Sequence, residues 1–344
     1  EVWEEWWKGL DPASEIRMWD YYGLRPWILK YTKRDGTSLE AGCGLGRYNF
    51  YLNALGIKTV GLDFSEELID NLKEWQKENK MDVDFIAGDV CKLPFSDNSL
   101  STYLSFGVVE HFEEGPHRPL KEAFRVLKPG GVAIITTPNL SLNVLRTQII
   151  RKFKSIIKYI IGRSSKAIPF FQYEYTPSQL SAFVSSSGLR VTRNSGCDLM
   201  FSYAQYKNFN SNFLTQESII YRLINYFENT SFRHLGAQSV TISIKVADKM
   251  HCFFCDKLKA TLDSLDSFDV PLCNNCSDSN LSKLYKSKSP VKYRTKYEIN
   301  PPIEIKKGVC DFCSDSYETD DLFEDYGFTK LVCKSCLKDK KINL

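Results

Sequence analysis

The sequence predicts an α/β fold, a parallel sheet covered by helices on both faces, followed by small metal-binding units. Three observations carry this. Short apolar runs alternate with amphipathic segments from Gly36 to Pro138, the pattern of βα units that build a parallel sheet. A glycine turn, Glu40-Ala41-Gly42-Cys43-Gly44-Leu45-Gly46, follows the first apolar run, and the acid Asp63 ends the second. Eight of the eleven cysteines form four Cys-x-x-Cys pairs near the carboxyl end. At 344 residues the chain suits two or more domains.

A helical arm, 1–36, comes first and holds five of the six tryptophans: Trp3, Trp6, Trp7, Trp19 and Trp27. Trp3, Trp6, Trp7 and Leu10 recur at helical spacing and make one apolar face. Asp11-Pro12 reads as a cap followed by proline at the first helical position. The rings either dock the arm on the sheet or wall a ligand pocket. Tyr21 and Tyr22 are the pocket candidates, because a phenol adds a polar handle. Strands are then expected near 37–40, 58–63, 83–87, 100–106 and 131–137, with helices near 47–55, 66–78 and 119–127.

Glycines permit a tight turn and let a ligand approach the backbone without a Cβ in the way. An acid at the tip of the next strand suits a ribose with two free hydroxyls. Together they predict an adenosine-type cofactor across the carboxyl ends of the strands. The spacing is Glu-x-Gly-x-Gly-x-Gly rather than the dinucleotide Gly-x-Gly-x-x-Gly, and it resembles motif I of class I S-adenosylmethionine-dependent methyltransferases. Further matches follow in order. They are Gly88-Asp89 with Leu93-Pro94-Phe95, then Ser105-Phe106-Gly107-Val108-Val109-Glu110-His111-Phe112, then Arg125-Val126-Leu127-Lys128-Pro129-Gly130-Gly131 running into Val132-Ala133-Ile134-Ile135-Thr136. Tyr175-Thr176-Pro177-Ser178-Gln179-Leu180 and Gly188-Leu189-Arg190-Val191 resemble the family's later helix and sixth strand, and Ser239 to Val246 the last strand. One departure is Ser101-Thr102, where members often open the fourth strand with an acid.

The resemblance covers about residues 20–246 and implies a Rossmann-like seven-stranded methyltransferase sheet over 37–247. It implies that Asp63 holds the ribose hydroxyls, Asp89 the adenine amino group, and the Gly42, Gly44 and Gly46 backbone the methionine end. Glu40 would organise the turn or meet the amino group through water, and Cys43, Phe64, Val90 and Phe106 complete the implied cofactor contacts. His111 is the first candidate for a general base and Glu110 the second, with a turn-stabilising or pocket role as the alternative for His111.

Two insertions, about 141–173 and 201–236, interrupt the implied order. The first carries Arg146, Arg151, Lys152, Lys154, Lys158, Arg163 and Lys166, no acid, and an interleaved set of leucines, isoleucines and phenylalanine. It reads as a peripheral contact to an anionic membrane through 141–170, as a segment closing over an anionic substrate, or as a lid or surface helix whose apolar face meets the sheet and whose lysines are solvated.

Cys252, Cys255, Cys273 and Cys276 form one unit (248–280), and Cys310, Cys313, Cys333 and Cys336 another (307–344). A basic segment, 281–306, joins them as a solvated linker or an arm for a polyanion. Two thiolates two residues apart grip one ion, and two such knuckles complete a tetrahedral shell. The spacings fit zinc ribbons, so two structural Zn²⁺ ions are expected, with iron–sulfur or redox thiols as the alternatives. Sequential and cross-braced pairings both fit the spacing. His251 is a spare ligand candidate.

A net charge of +3 names no polyanionic partner, and no apolar run reaches the length of a membrane span. Clustered thiols and an intracellular donor point to a reducing cytoplasm. The chain opens on Glu1 rather than Met, so a preceding piece is expected. Three functions fit. The first is methyl transfer from S-adenosylmethionine to a small-molecule, glycan or lipid-linked acceptor. The others are an RNA or protein methyltransferase that recognises its substrate through the zinc units, and a non-catalytic scaffold built on them.

Overall fold

The computed structural model describes residues 23–79, 81–140, 170–199, 219–228, 230–261, 264–265, 268–279 and 282, with four short strands between 307 and 333. Trp3, Trp6, Trp7, Trp19, Tyr21, Tyr22, most of both insertions and the basic linker lie outside the described residues.

Seven strands form one sheet: β1 (Ser38–Ala41), β2 (Thr59–Asp63), β3 (Asp84–Ala87), β4 (Leu100–Phe106), β5 (Leu127–Pro138), β6 (Arg190–Cys197) and β7 (Gln238–Ile244), ordered β3-β2-β1-β4-β5-β7-β6. Strands β1 to β5 pair in parallel, and β7 runs antiparallel to both β5 and β6. This is the Rossmann-like architecture expected from the sequence. Strands β1 and β2 are buried along their whole length, as a central parallel strand covered on both faces must be. The strand order reverses between β1 and β4, where ligand crevices open at the carboxyl ends of such sheets.

One boundary differs from the expectation. Strand β5 begins at Leu127, before the Pro129-Gly130-Gly131 turn that the sequence pattern places ahead of it. Leu127 pairs with Leu100 and Val132 with Thr102, so the intervening residues bulge. The Gly130 N–H donates to the Lys245 carbonyl at 2.8 Å, which ties the bulge to the end of β7.

Helices α1 (Arg25–Tyr31), α2 (Arg47–Ala54), α3 (Glu66–Glu78), α4 (His117–Val126), α5 (Pro177–Ser186) and α6 (Ile219–Glu228) flank the sheet. Ser65 caps α3 by accepting from the Leu68 N–H, with Glu66 and Glu67 in the first turn, where the helix dipole favours acids. Thr176 and Gln179 form a reciprocal capping box on α5.

Alternating β5 side chains feed two cores. Val132 and Ile134 join α1, α2 and β7 on one face, whereas Ala133 and Ile135 join α4 and α5 on the other. Trp27 is buried in the first core and stacks on Tyr31, so it docks α1 on the sheet.

Beyond the sheet, β8 (Met250–His251) and β9 (Leu258–Ala260) form a hairpin with Cys252 and Cys255 in its turn. Strand β10 (Lys307–Val309) pairs antiparallel with β11 (Ser316–Glu318), and β12 (Leu322–Glu324) with β13 (Leu331–Cys333). Cys310, Cys313, Cys336 and the Cys333 side chain lie outside the described residues. Among the described residues no helix is long and apolar enough to cross a membrane.

Candidate functional site

A cavity of about 580 Å³ opens at the carboxyl ends of β1, β2 and β4. Its wall brings together Glu40, Gly42, Cys43, Gly44, Asp63, Phe64, Asp89, Val90 and Phe106 with Glu110 and His111. Of the residues singled out from the sequence, Gly46 lies outside the lining. It caps α2, and a Cβ there would stand 2.7 Å from Phe85. Gly46 therefore shapes the turn by close packing rather than by facing the cavity.

The turn is held from below. Asp63 Oδ2 accepts from the Gly44 N–H at 3.0 Å and Oδ1 from the Ser65 N–H at 3.3 Å. Gly42 has φ +79°, and a Cβ there would meet Val108 Cγ2 at 2.4 Å, so no larger residue fits. Asp89 is exposed at the rim, with Oδ1 accepting from the Cys91 N–H at 2.7 Å. Phe64 stands half-exposed beside it at the mouth.

Glu40 is buried, and its Oε2 has no hydrogen-bond partner among the described residues. Burial pushes its carboxyl from the usual 4.5 up to about 8, against the Arg47 charge and the Asn49 backbone, which favour the carboxylate. Burial likewise pushes Glu110 and Glu228 up to about 8. The folded chain therefore keeps protons that the unfolded chain has released, so these groups make stability fall as pH rises from about 4.5 to about 8.

A short 3₁₀ turn, Val109–His111, carries the other two candidates. The Phe171 carbonyl lies 2.8 Å from His111 Nδ1, and that oxygen can only accept. In the neutral ring the proton therefore sits on Nδ1 and the lone pair on Nε2. Burial lowers the His111 pKa, although the Phe171 and Gly107 backbone groups oppose it. Glu110 Oε1 is 3.9 Å from His111 Nε2, and Glu110 Oε2 is buried without a hydrogen-bond partner among the described residues.

Sequence reasoning missed the far wall: Leu24, Tyr48, Phe112, Pro138, Phe171, Gln172 and Gln238. Residues 171–175 fold back over the 3₁₀ turn, with the Tyr173 N–H donating to the Glu110 carbonyl and the Tyr175 N–H to the Pro138 carbonyl, both at 3.0 Å. The Thr176 capping box was the one local signal that the chain re-enters the fold there.

A second cluster lies behind the sheet. The sulfurs of Cys252, Cys255, Cys273 and Cys276 all fall within 4.8 Å of one another, and Cys255 Sγ is 3.8 Å from Cys273 Sγ. Within this unit the knuckles pair sequentially. His251 Nδ1 lies instead 2.8 Å from the Asp256 carbonyl and takes no part in the thiol cluster.

Comparison with known proteins identifies the family of the sheet-forming part of the chain. A family model described as a methyltransferase domain matches residues 39–135. A probable S-adenosylmethionine-dependent methyltransferase of Mycolicibacterium smegmatis is 28% identical over 44% of this chain, and the match spans 51% of that protein, about half its length. The ubiquinone biosynthesis O-methyltransferase of Coxiella burnetii is 26% identical over 55% of this chain and 78% of its own. The demethylmenaquinone methyltransferase of Chlorobaculum tepidum is 31% identical over 51% of this chain and 69% of its own. With the sheet order, the glycine turn and these matches in agreement, the chain belongs to the S-adenosylmethionine-dependent methyltransferases.

Proposed function

We propose that the protein transfers the methyl group of S-adenosylmethionine to a small, neutral, planar acceptor bound at the His111 end of the cavity. One observation carries this: a single cavity joins a donor-shaped acidic half to an aromatic half. The donor half fits the cofactor because Glu40 Oε2, buried and without a partner among the described residues, would meet the ammonium, and Gly42 leaves a cradle that a Cβ would fill. Asp63 and Asp89 would hold the ribose and the adenine amino group. The sulfonium supplies a methyl carbon already activated for in-line displacement, so positioning supplies much of the rate.

The aromatic half supports the acceptor class. Phe112 and Phe171 present apolar surface, and Gln172 and Gln238 offer amides. The lining includes no lysine among the described residues, and its arginine, Arg47, bears on the buried Glu40. A phosphorylated or polyanionic acceptor would find little charge to pair with. The names of the Coxiella and Chlorobaculum proteins refer to quinones, and a phenol or hydroquinone of that ring type suits this wall.

His111 would take the acceptor proton through Nε2, since its Nδ1 is committed to the Phe171 carbonyl. Incubation with a panel of phenols, read by mass spectrometry, tests the class. Methylation of RNA or protein with none of the phenols would replace it. His111→Ala should lower kcat on a responsive phenol by about 10²–10⁴, the usual contribution of a general base. Its affinity for S-adenosylhomocysteine should stay unchanged, and an unaltered kcat would reduce His111 to a wall residue.

Glu40 gives a separate test of the donor end. A carboxyl held protonated near neutrality must release its proton when an ammonium docks against it. Calorimetric titration at pH 7 in buffers of different ionisation enthalpy should show release approaching about one proton per bound S-adenosylhomocysteine. Glu40→Gln should abolish the buffer dependence. An enthalpy independent of buffer in the unaltered chain would remove Glu40 from the ammonium site.

The four-cysteine cluster is assigned to Zn²⁺. A tetrahedron with metal–sulfur bonds of about 2.3 Å has edges of about 3.8 Å, the separation of Cys255 and Cys273. A closed shell leaves no open position, so the ion is structural. Metal analysis should find about two ions per chain if the Cys310–Cys336 unit fills in the same way. A value near zero would overturn the assignment.

A further inference from the structure

The first cysteine unit is built into the methyltransferase core. Met250, Phe253, Phe268, Val270 and Leu272 are buried in one apolar cluster with Trp27, Ile28 and Tyr31 of α1. That cluster also contains Leu24 and Tyr48, and Phe106 packs against it; all three line the cavity. Polar contacts reinforce the junction. Asp256, the residue after the first knuckle, pairs with Lys33 at 2.9 Å and with Lys128 at 2.6 Å. The Lys33 side chain is fully buried and also donates to the Cys252 carbonyl at 3.2 Å. Asp269, fully buried, accepts from the Tyr31 hydroxyl at 3.1 Å and pairs with Arg193. The hairpin lies so close to the β5 bulge that a Cβ on Gly130 would stand 2.4 Å from the His251 carbonyl oxygen.

The adenosine end of the cavity belongs elsewhere. Val90 and Leu62, next to Asp89 and Asp63, sit in the core on the opposite face of the sheet. The two ends of the donor site thus have different mechanical support.

We propose that the metal-bound Cys252–Cys276 unit is a positioning element for the cavity, bracing the Leu24, Tyr48 and Phe106 wall through α1, a role that rests on the zinc assignment above. The unit's apolar side chains stay buried against α1 and β7 when the ion leaves, so the stripped chain keeps its core, while the knuckles that the thiolates hold lose their fixed geometry. Losing the ion loosens the surface on which α1 rests, and with it the methionine end of the donor site. The adenosine end keeps its own core.

The test uses the full chain, with metal content measured before and after treatment with a zinc chelator. S-adenosylhomocysteine and adenosine are then titrated calorimetrically, with far-UV dichroism as the check on fold. The stripped chain should bind S-adenosylhomocysteine about tenfold more weakly, within the usual range of coupling between sites, while adenosine affinity holds. Asp256→Asn should show the same selective weakening with its metal retained. Unchanged S-adenosylhomocysteine affinity in a stripped chain overturns the brace and leaves the zinc assignment standing. Equal loss of both ligands means general unfolding and also overturns it. A chain purified without metal overturns the zinc assignment, and the brace falls with it.

Discussion

Asp63→Ala is expected to weaken S-adenosylhomocysteine binding by at least about two orders of magnitude, because the carboxylate serves two partners at once. Toward the cavity it would accept from the ribose hydroxyls, and hydrogen bonds to a charged group contribute about 1.5–3 kcal/mol each. Two such bonds correspond to a factor of about 10²–10⁴ in Kd. Toward the protein it accepts from the Gly44 and Ser65 N–H groups. The alanine therefore also leaves the glycine turn without the anchor that fixes its path beside β2. Asp63→Asn should fall between the two, since its amide oxygen can still accept from one of those N–H groups while its NH₂ faces the other. Calorimetry on the three proteins decides it. Full affinity in Asp63→Ala would remove the ribose assignment, and no binding by the unaltered chain would remove the donor itself.

The donor half of this site was legible because its chemistry is local. Gly42, Gly44 and Asp63 are constrained by turn geometry and by the end of one strand, which leave a mark within a few residues of sequence. The alternation of strands and helices that builds the parallel part of the sheet followed from hydrophobic periodicity. The far wall left no such mark. Phe171 reaches His111 across 60 residues of chain, and Gln238 enters only because β7 runs antiparallel and begins at the end where β5 finishes. Neither glutamine sits in a pattern that sets it apart from a surface residue. The bulge at Lys128–Gly131 was misplaced for a related reason: Pro-Gly-Gly signals a break, and only pairing with Leu100 and Lys245 shows that the strand resumes on both sides. The cysteine spacing picked out the four thiols that the fold brings together in the first unit, yet nothing in it revealed the embedding. Asp256 and Lys33 are 223 positions apart, and each alone reads as an ordinary surface charge.

That embedding produces the second large effect. A chain ended at residue 247 should fail to form a cooperatively folded core, although it retains every strand of the sheet. The cut removes Met250, Phe253, Leu265, Phe268, Val270 and Leu272, all buried against α1 and the β5–β7 face. Burial of each such side chain contributes about 1.5–3 kcal/mol, so together they match the whole of a typical domain's stability, about 5–15 kcal/mol. It also strips Lys33 of Asp256, leaving a buried ammonium whose lost partner costs about 3–5 kcal/mol, and strips Arg193 and Tyr31 of Asp269. Ending the chain at 282 instead keeps each of these contacts and should preserve the thermal transition and the near-UV dichroism of the tryptophan and tyrosine rings. The comparison separates two designs. If the 247 chain melts like the full chain and binds S-adenosylhomocysteine equally well, the cysteine unit is an appended module. If only the 282 chain folds, residues 248–282 complete the hydrophobic core of the methyltransferase, and the four-cysteine unit is part of the domain's own fold.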